Sequence, residues 1–347
     1  MNIFDYLFKD VGVDLGTANS LIYLKKNGVV INEPTVVAVN SRTNQILATG
    51  EDAKKMINRA PSHINVIRPL KEGVISDFDM AAEILRQYLK KISSNSIFSY
   101  HRAVLAVPDN LTEVEKKSVE DAALSAGCAQ AFLVDSPVAA ALGAELPIHL
   151  PVASLIVDIG GGTTDIAVIS LNGIVVSKTL KVAGDKFNED IVRFIRDEFR
   201  LVIGEPTAEI AKISAASAVA LNEHLEIKVS GRDVSTGLPR EIIVKDFHLR
   251  AAISKSLKSI SDSVHEVIEA TPPELVGDML MQGINLCGGG SLLKGIDKLI
   301  EKETGVSSRI IPDPLTCTVR GLGKIVEDFD YYKKVLNNPL RHSVQAQ

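Results

Sequence analysis

Val11-Gly12-Val13-Asp14-Leu15-Gly16-Thr17-Ala18-Asn19 and Leu155-Ile156-Val157-Asp158-Ile159-Gly160-Gly161-Gly162-Thr163-Thr164 repeat one local pattern. In each copy a short apolar run ends at an aspartate and a glycine loop follows. A second apolar run then leads to an Asn-Gly pair: Leu21 to Leu24 before Asn27-Gly28, and Ile166 to Leu171 before Asn172-Gly173. Asn-Gly between two β-like runs is the strongest short hairpin signal. Strand, Asp-x-Gly loop, strand, turn and strand are therefore written twice. This predicts two duplicated lobes facing each other across a cleft, where a phosphate could be held from both sides.

The chain has 347 residues, enough for two lobes with ample core. Apolar residues at 46% and charged residues at 23% are ordinary globular values. The net charge of −5 and the lack of a basic cluster argue against nucleic acid as a partner, since phosphate tracking needs concentrated Lys and Arg. Cys128, Cys287 and Cys317 are scattered without a CxxC, which disfavours disulfides and zinc and points to a reducing cytoplasm. The histidines lack metal-ligand spacing. No apolar run approaches the roughly 20 residues of a membrane helix.

Along the chain, residues 11–40 read as consecutive strands. The pattern is weak from 41 to 70, with a short helical stretch around Glu51 to Arg59. A helix carries Ile84, Leu85, Tyr88, Leu89 and Ile92, and Arg102 to Val107 is a strand. Thr112-Glu113-Val114-Glu115 is a capping box opening the next helix, which Gly127 stops. After a strand at Ala131 to Val134, Pro137 opens an alanine-rich helix. A helical stripe runs Phe187, Ile191, Phe194, Ile195, Phe199, Val202 and stops at Gly204. Strand character returns over 225–245, a long helix spans Leu249 to Ile268, and Ile284 to Cys287 is a strand leading into a third glycine loop, Gly288-Gly289-Gly290-Ser291. The class is α/β with mixed sheets.

Glycine loops after strands let backbone N–H groups converge on an anion with no Cβ in the way. Thr17, Ala18 and Asn19 in the first loop and Gly160 to Thr164 in the second are the candidate phosphate contacts. Asp14 and Asp158, at the strand ends, are placed to hold a hydrated Mg²⁺ that neutralises the phosphate. With Gly288, Gly289, Gly290 and Ser291 left for base or ribose, a nucleoside triphosphate is the economical ligand. Each loop alone is more often a structural turn; their joint occurrence in duplicated context reverses that. No GxGxxG opens a helix and no GKS or GKT follows the glycines, which disfavours dinucleotide and Walker sites.

These motifs resemble the MreB family of bacterial actins, within the actin, sugar kinase and heat-shock ATPase superfamily, over essentially the whole chain. Asp14 to Ser20 resembles the first phosphate loop and Asp158 to Asp165 the second. Asn32 to Ala38, Ile67 to Ile75 (Ile-Arg-Pro-Leu-Lys-Glu-Gly-Val-Ile), Ala183-Gly184-Asp185, Gly288 to Leu293, and Asp313 to Cys317 with Arg320-Gly321 also resemble family segments. Glu209, Ile210, Ala211 and Lys212 fall where the family contacts adenosine. The resemblance implies an actin-like fold of four subdomains around a nucleotide cleft. It divides the chain into lobe I over 11–146 (outer subdomain about 34–70), lobe II over 147–335 (outer subdomain about 184–248) and a tail at 336–347. It further implies ATP and Mg²⁺ as cofactors, self-assembly into antiparallel double protofilaments, the inner membrane face and cell-wall elongation proteins as partners, and a cytoplasmic, membrane-associated location.

The chain departs from the family where a water-positioning glutamate should precede the proline of the alanine-rich helix. Ser136 stands there, and Asp135 replaces an earlier glutamate. Ser136, Asp135 and Thr164 are the candidate catalytic residues. A serine hydroxyl can hold a water but is no base at neutral pH, so the expectation is normal ATP binding with slow hydrolysis. The alternatives are an Asp135 that reaches the water by a shifted backbone, a non-hydrolysing scaffold paralogue, and a small-molecule kinase using Asp135. Ile210 replaces a basic residue usual in the adenosine segment. For membrane contact, residues 1–10 place Ile3, Phe4, Leu7 and Phe8 on one helical face, opposite Asp5, Lys9 and Asp10. That polar face is not basic. The alternative for this segment is packing on the protein's own first strand. Ile97-Phe98-Ser99-Tyr100 is a second membrane candidate.

Overall fold

The computed structural model describes residues 9–92 and 100–337. The chain begins with β1 (Lys9–Leu15), β2 (Asn19–Leu24) and β3 (Gly28–Pro34). A small outer unit follows: β4 (Val37–Asn40), β5 (Ile46–Thr49), the one-turn α1 (Glu51–Lys54) and β6 (Ile64–Ile67). A miniature hairpin, β7 (Leu70–Lys71) and β8 (Val74–Ile75), leads into α2 (Phe78–Ile92), β9 (Tyr100–Val107), α3 (Glu113–Ser125), β10 (Cys128–Asp135) and α4 (Ser136–Gly143). The second half opens with β11 (Ser154–Ile159), β12 (Thr164–Ser170) and β13 (Gly173–Leu180), then α5 (Gly184–Phe199), β14 (Leu201–Val202) and α6 (Glu205–Ala215). It continues through β15 (Glu226–Asp233), β16 (Pro239–Lys245), α7 (Asp246–Glu269), α8 (Pro273–Gln282), β17 (Ile284–Cys287), α9 (Ile296–Thr304), β18 (Ser308–Ile310), α10 (Cys317–Glu327) and α11 (Phe329–Tyr332).

The duplication is visible in the sheets. One is ordered β10-β9-β1-β2-β3 and the other β13-β12-β11-β17-β18. In each, the Asp-loop strand pairs antiparallel with its hairpin partner on one side and parallel with a later strand on the other. The two Asn-Gly turns differ. Leu171 and Asn172 both take positive φ in a two-residue turn, whereas Lys26 and Gly28 share that task in the first copy.

Each sheet has its own core, and a third cluster joins the lobes. Val104, Ala106 and Phe132 of the first sheet meet Ile156, Ala167 and Ile169 of the second through α4 and α10. These two helices cross at Gly143 and Gly321. A Cβ on Gly143 would collide with the Cys317 carbonyl, and one on Gly321 with the Ala139 carbonyl, so glycine alone allows this approach.

The capping box at Thr112 is present in full: Glu115 N–H donates to Thr112 Oγ1, and Glu115 Oε2 accepts from Thr112 N–H at 2.8 Å. Four expectations are corrected. The stretch from Glu51 to Arg59 keeps only one helical turn, and Asn58 turns the chain at positive φ. Helix α5 ends at Phe199, with Arg200 left-handed, so Val202 belongs to a strand. Strand β1 starts at Lys9, and Asp10 is buried against the guanidinium of Arg102 (2.9 and 3.2 Å), so neither residue lies on a helical polar face. Tyr100 is buried at the start of β9, donating to Leu89 O at 2.9 Å, and is no loop tip. Residues 1–8 and 97–99, the rest of the two membrane candidates, lie outside the described residues.

Candidate nucleotide cleft

Between the two large sheets lies a cavity of about 460 Å³. Because β1 and β11 end at corresponding points, their loops arrive from opposite walls. Asp14, Thr17, Ala18 and Asn19 line one wall; Asp158, Gly160, Gly161, Gly162 and Thr163 line the other. The loops touch. A Cβ on Gly161 would sit 2.6 Å from Ala18 Cβ, and one on Gly162 2.5 Å from Thr17 Oγ1. The N–H groups of Thr17, Ala18, Gly161 and Gly162 donate to no protein acceptor among the described residues. Free amides from two facing loops form a cradle for an anion.

Three carboxylates lie beneath it. Asp14 is half-buried at the cavity wall; desolvation there, then the charges of Asp158 and Asp165, push its pKa up to about 7. Burial also pushes Asp165 up to about 7, with Asp158 and Asp109 adding to the effect against hydrogen bonds from Thr179 and Thr163. Asp158, the cross-strand partner of Asp165, is raised by burial, opposed by a 2.9 Å bond from Thr318 Oγ1. Such mutually repelling, largely desolvated acids are stabilised in their ionised form by a divalent cation. No set of three His, Cys, Asp or Glu among the described residues is arranged to grip an ion directly.

The third loop closes the cleft from below. Gly288, at φ +78, packs where a Cβ would strike Asp158 and Ile159, and Gly289 and Gly290 line the cavity. Ser291 does not; it is buried and its hydroxyl donates to Gly288 O at 2.7 Å, closing the loop on itself. On α6, Glu209 and Lys212 face the cavity as a 2.7 Å ion pair, with Lys212 also donating to Gly184 O. Burial alone would raise Glu209, but Lys212 and a 2.6 Å bond from Asn188 outweigh it and hold its carboxyl below the usual range. Ile210 points to solvent and Ala211 into the core, so neither reaches the cavity. Ile213, Ala216, Leu292 and Leu315 give this end an aliphatic wall suited to a flat ring.

Ser136 opens α4 and lines the cavity, but its neighbour faces away. Asp135 accepts a 2.6 Å hydrogen bond from Asn337 Nδ2 and is raised by burial, so the shifted-backbone alternative is not what the structure holds. Thr164 is likewise corrected. It is buried and donates to Val182 O at 2.7 Å, and the hydroxyl presented to the cavity is that of Thr163. Asp165, which the sequence reading passed over, joins the site through strand alternation, on the same face as Thr163.

The connector around Arg68 spans the cleft mouth. Arg68 pairs with Glu205 at 2.6 Å and Asp185 at 3.9 Å, and Glu72 with Lys181 at 3.1 Å. Gly73 N–H donates to Thr17 Oγ1 at 3.1 Å, tying this connector to the first loop.

Comparison with known proteins agrees with this architecture. The family described as MreB/Mbl protein matches residues 8–334. The chain is 42% identical over 326 residues to the cell shape-determining protein Mbl of Bacillus subtilis (strain 168), covering 94% of this chain and 98% of that protein. It is 42% identical over 328 residues to the cell shape-determining protein MreB of Escherichia coli (strain K12), covering 93% and 94%. MreB5 of Spiroplasma citri bound to ADP superposes with a TM-score of 0.88 at 36% identity, over 94% of this chain and 98% of that one. The MamK double helical filament shares the fold, with a TM-score of 0.78 at 23% identity over 92% and 99%. The fold is actin-like, and the chain belongs to the MreB/Mbl family.

Proposed function

We propose that this protein binds ATP with Mg²⁺ between its lobes and assembles into filaments that direct cell shape, hydrolysing the nucleotide slowly. The observation that carries the reading is the contact of Thr17-Ala18 with Gly161-Gly162 and their free amides, above three clustered carboxylates. Thr17, Ala18, Asn19 and Gly160 to Thr163 hold the phosphates; Glu209, Lys212 and Gly288 to Gly290 hold the nucleoside end. Asp14, Asp158 and Asp165 would hold Mg²⁺, which when bound neutralises phosphate charge. A relative with AMPPNP bound, MreB5 of Spiroplasma citri, supports a nucleotide triphosphate here. Family membership supports self-assembly, and by resemblance the filaments are antiparallel pairs of protofilaments at the inner membrane face, working with cell-wall elongation proteins. No helix among the described residues is long and apolar enough to cross a membrane; by resemblance, membrane contact is made by the apolar residues Ile3, Phe4, Leu7 and Phe8 or by Ile97 and Phe98.

Slow hydrolysis follows from Ser136. Its hydroxyl orients a water without withdrawing a proton, and losing a water-orienting carboxylate costs about two to three decades in rate. The kinase reading loses its base, because Asp135 is turned toward Asn337. Electron microscopy with ATP and Mg²⁺ tests assembly, and phosphate release tests the chemistry. Filaments are expected, and Ser136→Glu is expected to release phosphate at least tenfold faster than wild type. Monomers that phosphorylate a small hydroxyl compound overturn the assembly reading, and a Ser136→Glu protein no faster than wild type overturns the slow-hydrolysis reading.

A further inference from the structure

We infer that Asn337 restrains hydrolysis by holding the Asp135 carboxylate out of the cleft. Strand β10 is the open edge of its sheet, and the last described turn of the chain covers it. Phe329 packs edge-on against Phe132 with ring centroids 4.8 Å apart, and the Arg102 guanidinium lies 4.4 Å from the Phe329 ring. Val335 and Leu336 are buried. Asn337 then brackets the end of the strand twice: its backbone N–H donates to Leu133 O at 2.9 Å, and its side-chain amide donates to Asp135 Oδ1 at 2.6 Å.

Asp135 occupies the N-cap of α4 with the extended backbone of a capping residue, φ −64 and ψ 128, yet it makes no side-chain cap. An aspartate in that position ordinarily accepts from the helix's free N–H groups. Pro137 has none, which leaves Val138 as the donor within reach of a cap. Without Asn337, the carboxylate swings over the start of α4, beside Ser136 and the cavity. Lys116, the cation that also acts on Asp135, is already paired with Glu113 at 3.7 Å. Asn337 is thus a positioning residue. It decides whether the carboxylate next to Ser136 serves the sheet edge or the water-binding side of the cleft. This inference rests on the slow-hydrolysis reading above.

The test uses the full chain with Asn337→Ala and Asn337→Asp; the second keeps the side chain's size and replaces the donor with a like charge. Both are expected to release phosphate at least threefold faster than wild type, with unchanged affinity for ATP. In both, amide exchange at Val138 should slow, and adding Asp135→Asn should abolish the rate gain. Unchanged phosphate release, or unchanged exchange at Val138 in well-folded variants, overturns the inference. Ser136→Glu separates the two ideas. Its failure to speed hydrolysis refutes the slow-hydrolysis reading, whereas the Val138 amide still reports where Asp135 goes.

Discussion

Replacing Asp165 by asparagine should stabilise the nucleotide-free protein while weakening its hold on Mg²⁺ and ATP. Asp165 is buried, and its pKa rises from 3.8 to about 7 on folding. The native state therefore binds more protons than the unfolded chain over that interval, and the sign is fixed: stability falls as pH rises from about 4 to about 7. At about 1.4 kcal/mol per unit, the ionised carboxylate costs at most about 4 kcal/mol above pH 7. Asparagine keeps an acceptor for Thr163 or Thr179, so lost hydrogen bonding returns about 1 kcal/mol of that gain. Urea denaturation of the nucleotide-free proteins at pH 4.5 and pH 8 should show Asp165→Asn more stable by about 2–3 kcal/mol at the higher pH and by much less at the lower. With Mg²⁺ and ATP present the order should invert, because the cation favours the ionised forms that the variant lacks. An Asp165→Asn protein with the same stability as wild type at pH 8 would refute the reasoning.

Two further outcomes follow from the geometry. Gly161→Ala puts a methyl 2.6 Å from Ala18 Cβ, so the loops must part; ATP affinity, read by displacement of a fluorescent nucleotide, should fall at least tenfold. Thr112→Ala removes the cap of α3 and should cost about 1 kcal/mol in urea denaturation, leaving ATP affinity unchanged.

Much of the site was legible because it is local. The two Asp-x-Gly loops, the third glycine loop and the Thr112 capping box each sit within a few consecutive residues, and backbone geometry follows directly from them. Thr164 failed for a reason of parity. Successive residues of a strand face opposite sides, and choosing the second threonine of the pair put the hydroxyl behind the wall, against Val182. The same parity, applied to the hairpin, would have found Asp165 opposite Asp158. Helical period would have separated Glu209 and Lys212 from Ile210 and Ala211, since positions three apart share a face. The pairing of Asp135 with Asn337 had no such signal. It joins residues 202 positions apart and exists only because the turn ending at Asn337 covers the edge of a sheet.

The crossing of α4 and α10 constrains how this molecule can move. At Gly143 and Gly321 backbone meets backbone with no room for a Cβ, and Cys317 Sγ donates to Ala140 O and Arg320 to Gly143 O across the same crossing, so sliding one helix along the other would break these contacts. A change of angle about that point, as in a pair of tongs, would disturb them least. The Arg68–Glu205 pair joins the connector of the first lobe to α6 of the second, so a change of angle at the crossing would alter the span between them. That span is where such a movement would be measured.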